Sequence, residues 1–298
     1  MENGNKMTSL KKVFGGIELT WPKIIIMAVV MGAYTAAMAI IPIFKNTSFN
    51  DITVTFEVWI FFGIFIIMNS KSAKDAALKN FVFFLISQPL IYLIQVPFTA
   101  RGFGLFSRYP YWFAWTVFTV PMSLLGYQMK KDKWWGIFIL TPMLIILADM
   151  CLVYTGKLLF WFPHHLITVL FCIASMFIYV IGIFTDKKAI IIGMIINVVL
   201  LAGVAAFAII KPRTYDTVLM VSGGETGLVF DDTYKAYITD PGFGDVEIVY
   251  EENLEDYMVE VSFKKGGHSK FVLESPEGEK HEFNVDVRYD TFDFKEII

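Results

Sequence analysis

The sequence predicts an α-helical polytopic membrane protein with seven transmembrane helices, followed by a C-terminal all-β sandwich domain. Three observations carry that expectation. Hydrophobic residue classes make up 56% of the 298 residues and charged residues only 18%, against about 25% in soluble globular proteins. Seven apolar runs fill residues 22–210, each long enough for a helix rising 1.5 Å per residue to cross a ~30 Å hydrocarbon core. The chain then changes character at Lys211-Pro212-Arg213, and short runs of period two follow, punctuated by glycine and proline. Charge is split the same way. Residues 211–298 hold 20 of the 28 acids and 9 of the 25 bases, a net −11, which leaves +8 on the rest. With 29 Phe, 13 Tyr and 7 Trp the chain is no disordered polymer, and its composition excludes a single soluble enzyme domain and a nucleic-acid binder.

Residues 1–21 read as a cytoplasmic lead with no cleavable signal, because the first twenty residues lack an apolar core. Residues 12–21 either lie along the inner interface or form a flexible lead-in. The transmembrane domain, 22–210, has its spans at about 22–44, 52–69, 78–98, 110–129, 134–154, 158–184 and 189–210. Lys6, Lys11, Lys12, Lys23, Lys71, Lys74, Lys79, Lys130, Lys131, Lys133, Lys187 and Lys188 fall on one side. Lys45, Arg101, Arg108 and Lys157 fall on the other. The positive-inside rule puts the first set and the N-terminus in the cytoplasm and the C-terminal region outside, at a plasma membrane.

The outer domain, 211–298, shows strand patterns at Val218–Val221, Gly227–Phe230, Tyr234–Ile238, Val246–Tyr250, Tyr257–Phe263, Lys270–Leu273 and Glu282–Tyr289. Gly223-Gly224-Glu225-Thr226-Gly227 reads as turn chemistry. It contains no cysteine, which fits a Gram-positive bacterial surface. Asp231-Asp232, and Asp240 with Asp245, read as a solvated acidic face in preference to a calcium site. The segment Gly267 through Val287, with Leu273-Glu274-Ser275-Pro276-Glu277-Gly278 and then Phe283-Asn284-Val285-Asp286-Val287, resembles the closing hairpin of bacterial immunoglobulin-like domains. The resemblance implies an extracellular Ig-like module used for binding or spacing.

Ionisable groups within the spans are few: Glu57, Asp149, His164 and His165. Counted from the expected helix ends, all four lie about 7–11 Å below the outer surface. Gln95 falls at a similar level, with Arg101 and Arg108 in the loop above. A buried charge costs at least ~2.5–3.5 kcal/mol on insertion scales, so such residues pair or face a cavity. One polar layer therefore reads either as a ligand pocket or as pairs that fasten helices together. Pro89 and Pro142 are mid-span and stand as hinge candidates, since each removes a backbone hydrogen bond. Tyr109, Tyr111, Trp112 and Trp115 read as an interfacial aromatic belt. Cys151 and Cys172 are placed too far apart to pair.

No catalytic residue, metal ligand set or cofactor motif is expected. The function read from these features is transporter-like or small-ligand-binding, with an outward-facing polar pocket capped by the β-domain. The alternative is a surface receptor whose bundle anchors and whose sandwich binds. A third is an intramembrane enzyme on lipid-linked substrates. The partners expected are the lipid bilayer, a small molecule at the outer leaflet and a protein partner of the outer domain.

Overall fold

A computed structural model describes residues 9–45, 47–224, 226–252, 255–288 and 291–297. Lys6 with the start of the lead, Glu225 of the glycine-rich turn and Tyr289 of the last strand pattern lie outside the described residues. The chain divides into two compact units, Met1–Tyr154 with His165–Ala205, and Thr155–His164 with Ala206–Ile298.

The helical elements are α1 (Ser9–Val13), α2 (Trp21–Ile40), α3 (Ser48–Val54), α4 (Phe56–Asn69), α5 (Ala73–Gln95), α6 (Tyr109–Gly126), α7 (Gly136–Phe160), α8 (Leu166–Ile183) and α9 (Lys187–Ile210). Five of them are long and apolar enough to cross a membrane: α2, α5 with its 3-10 extension to Phe98, α7, α8 and α9. The pair α3–α4 makes a sixth if its 49° bend is one broken span. α6 stands where the fourth span was expected but is not in that set, because two Tyr, two Trp, two Thr and two Pro dilute its 18 residues.

The second expected span starts earlier than residue 52 and breaks at Thr55. The cause is local: the Thr53 hydroxyl donates to Phe49 O and Asn50 O, and Thr55 Oγ1 to Asp51 O at 2.6 Å, offering the backbone an alternative to the helix ladder. The lead is not a loose entry segment. Phe14 and Leu19 are buried, and Asn69 clamps the stretch by donating to Val13 O at 2.6 Å and accepting from Ile17 N at 2.8 Å. α2 and α5 approach closely along Ala28, Gly32 and Ala36, all buried; a Cβ on Gly32 would lie 2.9 Å from the Ser87 carbonyl oxygen.

The turn between the fifth and sixth spans was expected near residues 155–157 and lies at 161–165 instead. Gly156 and Lys157 stay helical, with the lysine in the last turn of α7 where a cation suits the helix dipole. Phe162-Pro163 and His165, at φ 67°, end the helix and start the next. Asp149 is thus eleven residues, about 16 Å, from the end of α7 instead of five residues.

The second unit carries two antiparallel sheets formed by β1 (Tyr215–Val221), β2 (Lys235–Ile238), β3 (Gly244–Glu251), β4 (Asp256–Phe263), β5 (Gly267–Glu274), β6 (Lys280–Arg288) and β7 (Thr291–Glu296). The orders are β1-β4-β3 and β2-β5-β6-β7. Val259, Val261 and Phe263 of one sheet and Phe271, Leu273, Phe283, Val285 and Val287 of the other are buried in one apolar cluster, the alternation expected for strands with one solvated face. Two expectations fail here. Gly227–Phe230 forms no strand, although Phe230 is buried in the cluster, and β7 was not anticipated. The Gly267–Val287 segment is the β5–β6 hairpin, with Phe271 opposite Phe283, but β7 pairs beyond it.

The end of α7 belongs to this unit. Phe160 is buried in the β cluster and its carbonyl accepts from Gly266 N at 2.7 Å. A Cβ on Gly266 would meet the Trp161 indole at 3.0 Å, so glycine permits that closeness.

Candidate functional site

Two features of the helical unit qualify. The first is a buried polar cluster at the α3–α4 break. Asp51, near the end of α3, accepts at Oδ2 from Thr168 Oγ1 at 3.1 Å and pairs with His165 Nδ1 at 2.5 Å. His165 is 2% exposed and sits just before α8, whose Thr168 N donates to Ser48 Oγ at 3.2 Å. Three short-range bonds therefore tie α3 to the start of α8. One residue beyond the break, Thr55 Oγ1 is bonded to Glu57 Oε2 as well as to Asp51 O. Glu57 is fully buried, and Cys172 Sγ of α8 lies 3.9 Å from its Oε1. From α7, the Tyr154 hydroxyl is bonded to Thr55, and its ring lies 5.8 Å from the His165 ring.

Of the expected polar layer, this brings Glu57 and His165 into one cluster and leaves the others out. Asp149 is exposed on α7. His164 belongs to the second unit, where it stacks on Trp161 at 3.8 Å. Gln95 is half-buried at the end of α5, and Arg101 and Arg108 are exposed. Asp51, Thr55, Tyr154 and Thr168 were missed. The signal that would have found Asp51 is Ser48-Phe49-Asn50-Asp51 ahead of an apolar run, a helix-start pattern that brings the carboxylate inside the span. Both cysteines are buried and neither is in a disulfide; Cys172 is six residues into α8, not fourteen into a longer helix. Among the described residues no group of three or more His, Cys, Asp or Glu side chains is arranged to hold a metal. In the second unit Asp240 and Asp245 bind Lys265 and Lys264, each at 2.7 Å, so these acids have ammonium partners in place of a shared cation.

The second feature is a cavity of about 450 Å³ between α4, α5, α6 and α7. Phe56, Trp59, Gly63, Phe84, Trp112, Trp115, Phe138 and Met143 give it an apolar wall. Phe56 packs on Trp112 and Trp115 at ring separations of 5.4 and 5.2 Å, so two residues of the expected aromatic belt line a cavity. Three buried polar side chains, Asn80, Gln88 and Ser123, interrupt that wall. Asn80 Nδ2 donates to Ser123 Oγ at 2.8 Å and Gly63 O at 3.2 Å, while Asn80 Oδ1 has no hydrogen-bond donor among the described residues. Of the residues singled out from the sequence as pocket or hinge, only Pro142 lines it; Pro89 lies inside α5 without reaching it. The expected polar pocket and the observed cavity are thus different places.

No protein-family model matches the chain, and neither does any curated protein or solved structure with which it was compared.

Proposed function

We propose that the chain is a multi-pass plasma-membrane protein, transporter-like or small-ligand-binding, whose helical unit takes a small and largely apolar molecule. The observation that carries this reading is the cavity. Its volume falls in the ~300–1,000 Å³ range of small-molecule sites, and a mostly apolar wall with a few fixed polar groups is their usual chemistry. Asn80 Oδ1 asks for a donor, so the favoured ligand carries a hydroxyl, amine or amide on an apolar body. The rival reading, a receptor whose bundle only anchors, requires no such cavity.

In this reading α6 and the bent α3–α4 pair both span, giving seven crossings. The lysine bias supports a cytoplasmic N-terminus and an extracellular β unit. Two antiparallel sheets with one shared apolar cluster support a sandwich of the Ig-like kind. A Gram-positive source and a protein partner of the outer domain remain part of the same proposal.

Gly63 offers the test, because a Cβ built there meets nothing within 4 Å and a larger side chain grows into the cavity. Purified wild type and Gly63→Leu are compared by thermal shift with a panel of medium-chain alcohols, amines and amides. A binder at a hundred times its Kd stabilises the wild type by about 2.7 kcal/mol. The proposal expects that shift in the wild type and its loss in Gly63→Leu. Equal responses in the two proteins, or none to any compound, would sink it.

A further inference from the structure

Three helices of the cavity keep a register that can be counted. Asn80 of α5 lies opposite Gly63 of α4 and Ser123 of α6, and Phe84, one turn on, meets Trp59 of α4 at a ring separation of 5.8 Å. Farther along, Tyr92 of α5 packs on Tyr109 at the start of α6. Residue numbers rise along α5 while they fall on both neighbours, so α5 runs antiparallel to each. Eight residues beyond Asn80, Gln88 therefore reaches the level of Phe56 and Trp115, whose rings pack at 5.2 Å and line the cavity. Asn80, Phe84 and Gln88 stand at i, i+4 and i+8, one stripe of α5, and all three line the cavity. At 1.5 Å per residue the two amides are about 12 Å apart along the helix axis.

Both ends of the stripe have hydrogen-bonding capacity to spare. Gln88 is 4% exposed, and its amide is bonded to none of the described residues. At the other end Asn80 Oδ1 lacks a donor, and the Ser123 hydroxyl, which accepts from Asn80, donates to none of the described residues. A buried amide or hydroxyl with unmet capacity costs desolvation free energy, so each end calls for a ligand group. Between the two ends Phe84 and Trp59 present an apolar stretch, the Trp59 indole N–H being taken up by Thr53 O. Among the described residues no ionisable side chain lines the wall, so a charged group there would lack a counter-ion.

We propose that the cavity takes an elongated, uncharged molecule with a hydrogen-bonding group at each end of an apolar body, the two groups about 12 Å apart, one held by Gln88 and the other by Asn80 and Ser123. This rests on reading the cavity as a ligand site and adds the ligand's length, its two-ended polarity and its neutrality.

Linear terminal diols, with the mono-alcohols of the same chain lengths as controls, test the proposal on the purified full chain. Binding is read from tryptophan fluorescence against measured free ligand, since Trp59, Trp112 and Trp115 line the cavity. A second hydroxyl that finds no partner weakens binding, because it gives up water on entering. Short diols are therefore expected to bind more weakly than their mono-alcohols. At the length that sets the two oxygens about 12 Å apart the order reverses, with the diol about fivefold tighter. In Gln88→Met, which keeps the bulk of the side chain and removes its amide, the reversal is lost. The wild-type series decides the question even if that variant does not fold. Mono-alcohols that bind while no diol outdoes them overturn this inference and leave the ligand site standing, whereas no binding by either series overturns both. A reversal kept in folded Gln88→Met overturns it too, as does a diamine of the matching length, charged at pH 7, that binds more tightly than the diol.

Discussion

Replacing Phe160 with alanine tests whether the end of α7 is part of the β unit's core. The residue is 3% exposed and packs in the cluster that holds both sheets together, and its carbonyl accepts from Gly266 N. Truncating a buried phenylalanine costs about 3–5 kcal/mol, as lost transfer free energy plus the cavity left behind. A domain of some hundred residues has about 5–15 kcal/mol in total, so the substitution removes at least about a fifth of it. At about 1.4 kcal/mol per tenfold, amide protection in β4, β5 and β6 should fall by roughly 10²–10⁴-fold. Hydrogen exchange of the full chain, read by mass spectrometry, reports those strands separately from the helices. A fragment starting at residue 216 carries a larger version of the same defect, because it lacks both Phe160 and Trp161. The reasoning is refuted if Phe160→Ala leaves protection of β4–β6 as it was, or if fragments 155–298 and 216–298 unfold at the same temperature.

Three further outcomes follow from single contacts. Asp51→Ala leaves His165 and Thr168 without their shared acceptor and should destabilise the helical unit by about 3–5 kcal/mol, with Asp51→Asn milder; a thermal midpoint unchanged in Asp51→Ala would count against the buried pair. Gly32→Ala presses a Cβ onto the Ser87 carbonyl and should cost about 1–3 kcal/mol by forcing α2 from α5, and Gly32→Leu more; equal stability of all three proteins in the same assay would contradict that packing. The hydrogen bond from Lys265, with help from Gly242 N, holds the Asp240 carboxyl below its ordinary value. Its contribution is therefore complete above about pH 4, where the unfolded chain is ionised, and is lost as pH falls through the lower folded value. Lys265→Met should move the Asp240 midpoint upward in a carbon-detected carboxyl titration, and an unmoved midpoint would remove the pair from the account.

How far the fold was legible depends on whether a feature is written in composition or in single bonds. The apolar runs survive as mostly helical segments because each is long, even where a local contact breaks or shifts one. The break at Thr55 was not legible, since it rests on which carbonyls two threonine hydroxyls choose. Gly156-Lys157 looked like a loop only because a glycine and a charge interrupt an apolar run; the structure keeps both in α7 and turns at 161–165. In the β unit the alternation of Val259, Val261 and Phe263 was enough to place β4. β7 carries the same period in Phe292 and Phe294, but three charged residues in six mask it, and pairing with β6 supplies what its composition lacks. Gly227–Phe230 shows the reverse: one buried phenylalanine beside an exposed Val229 satisfies the pattern without any ladder.

The candidate site was harder to read for a reason that lies in the helices themselves. Depth along a helix follows from counting residues at 1.5 Å each, so Glu57, Asp149, His164 and His165 could be assigned to one layer. Direction around the axis needs a polar face to fix it, and helices apolar on every side provide none. Residues assigned equal depth therefore diverge: Glu57 turns inward against Cys172, Asp149 faces out, and a turn that begins six residues later than expected sends His164 to the other unit. Chemistry that depends on direction, such as which acid meets His165, was out of reach. The carboxylate that does meet it, Asp51, lies 114 residues away and just before the span as first drawn. In this chain the insertion cost of a charge marks which residues need partners, and only the packed structure says which partners they have.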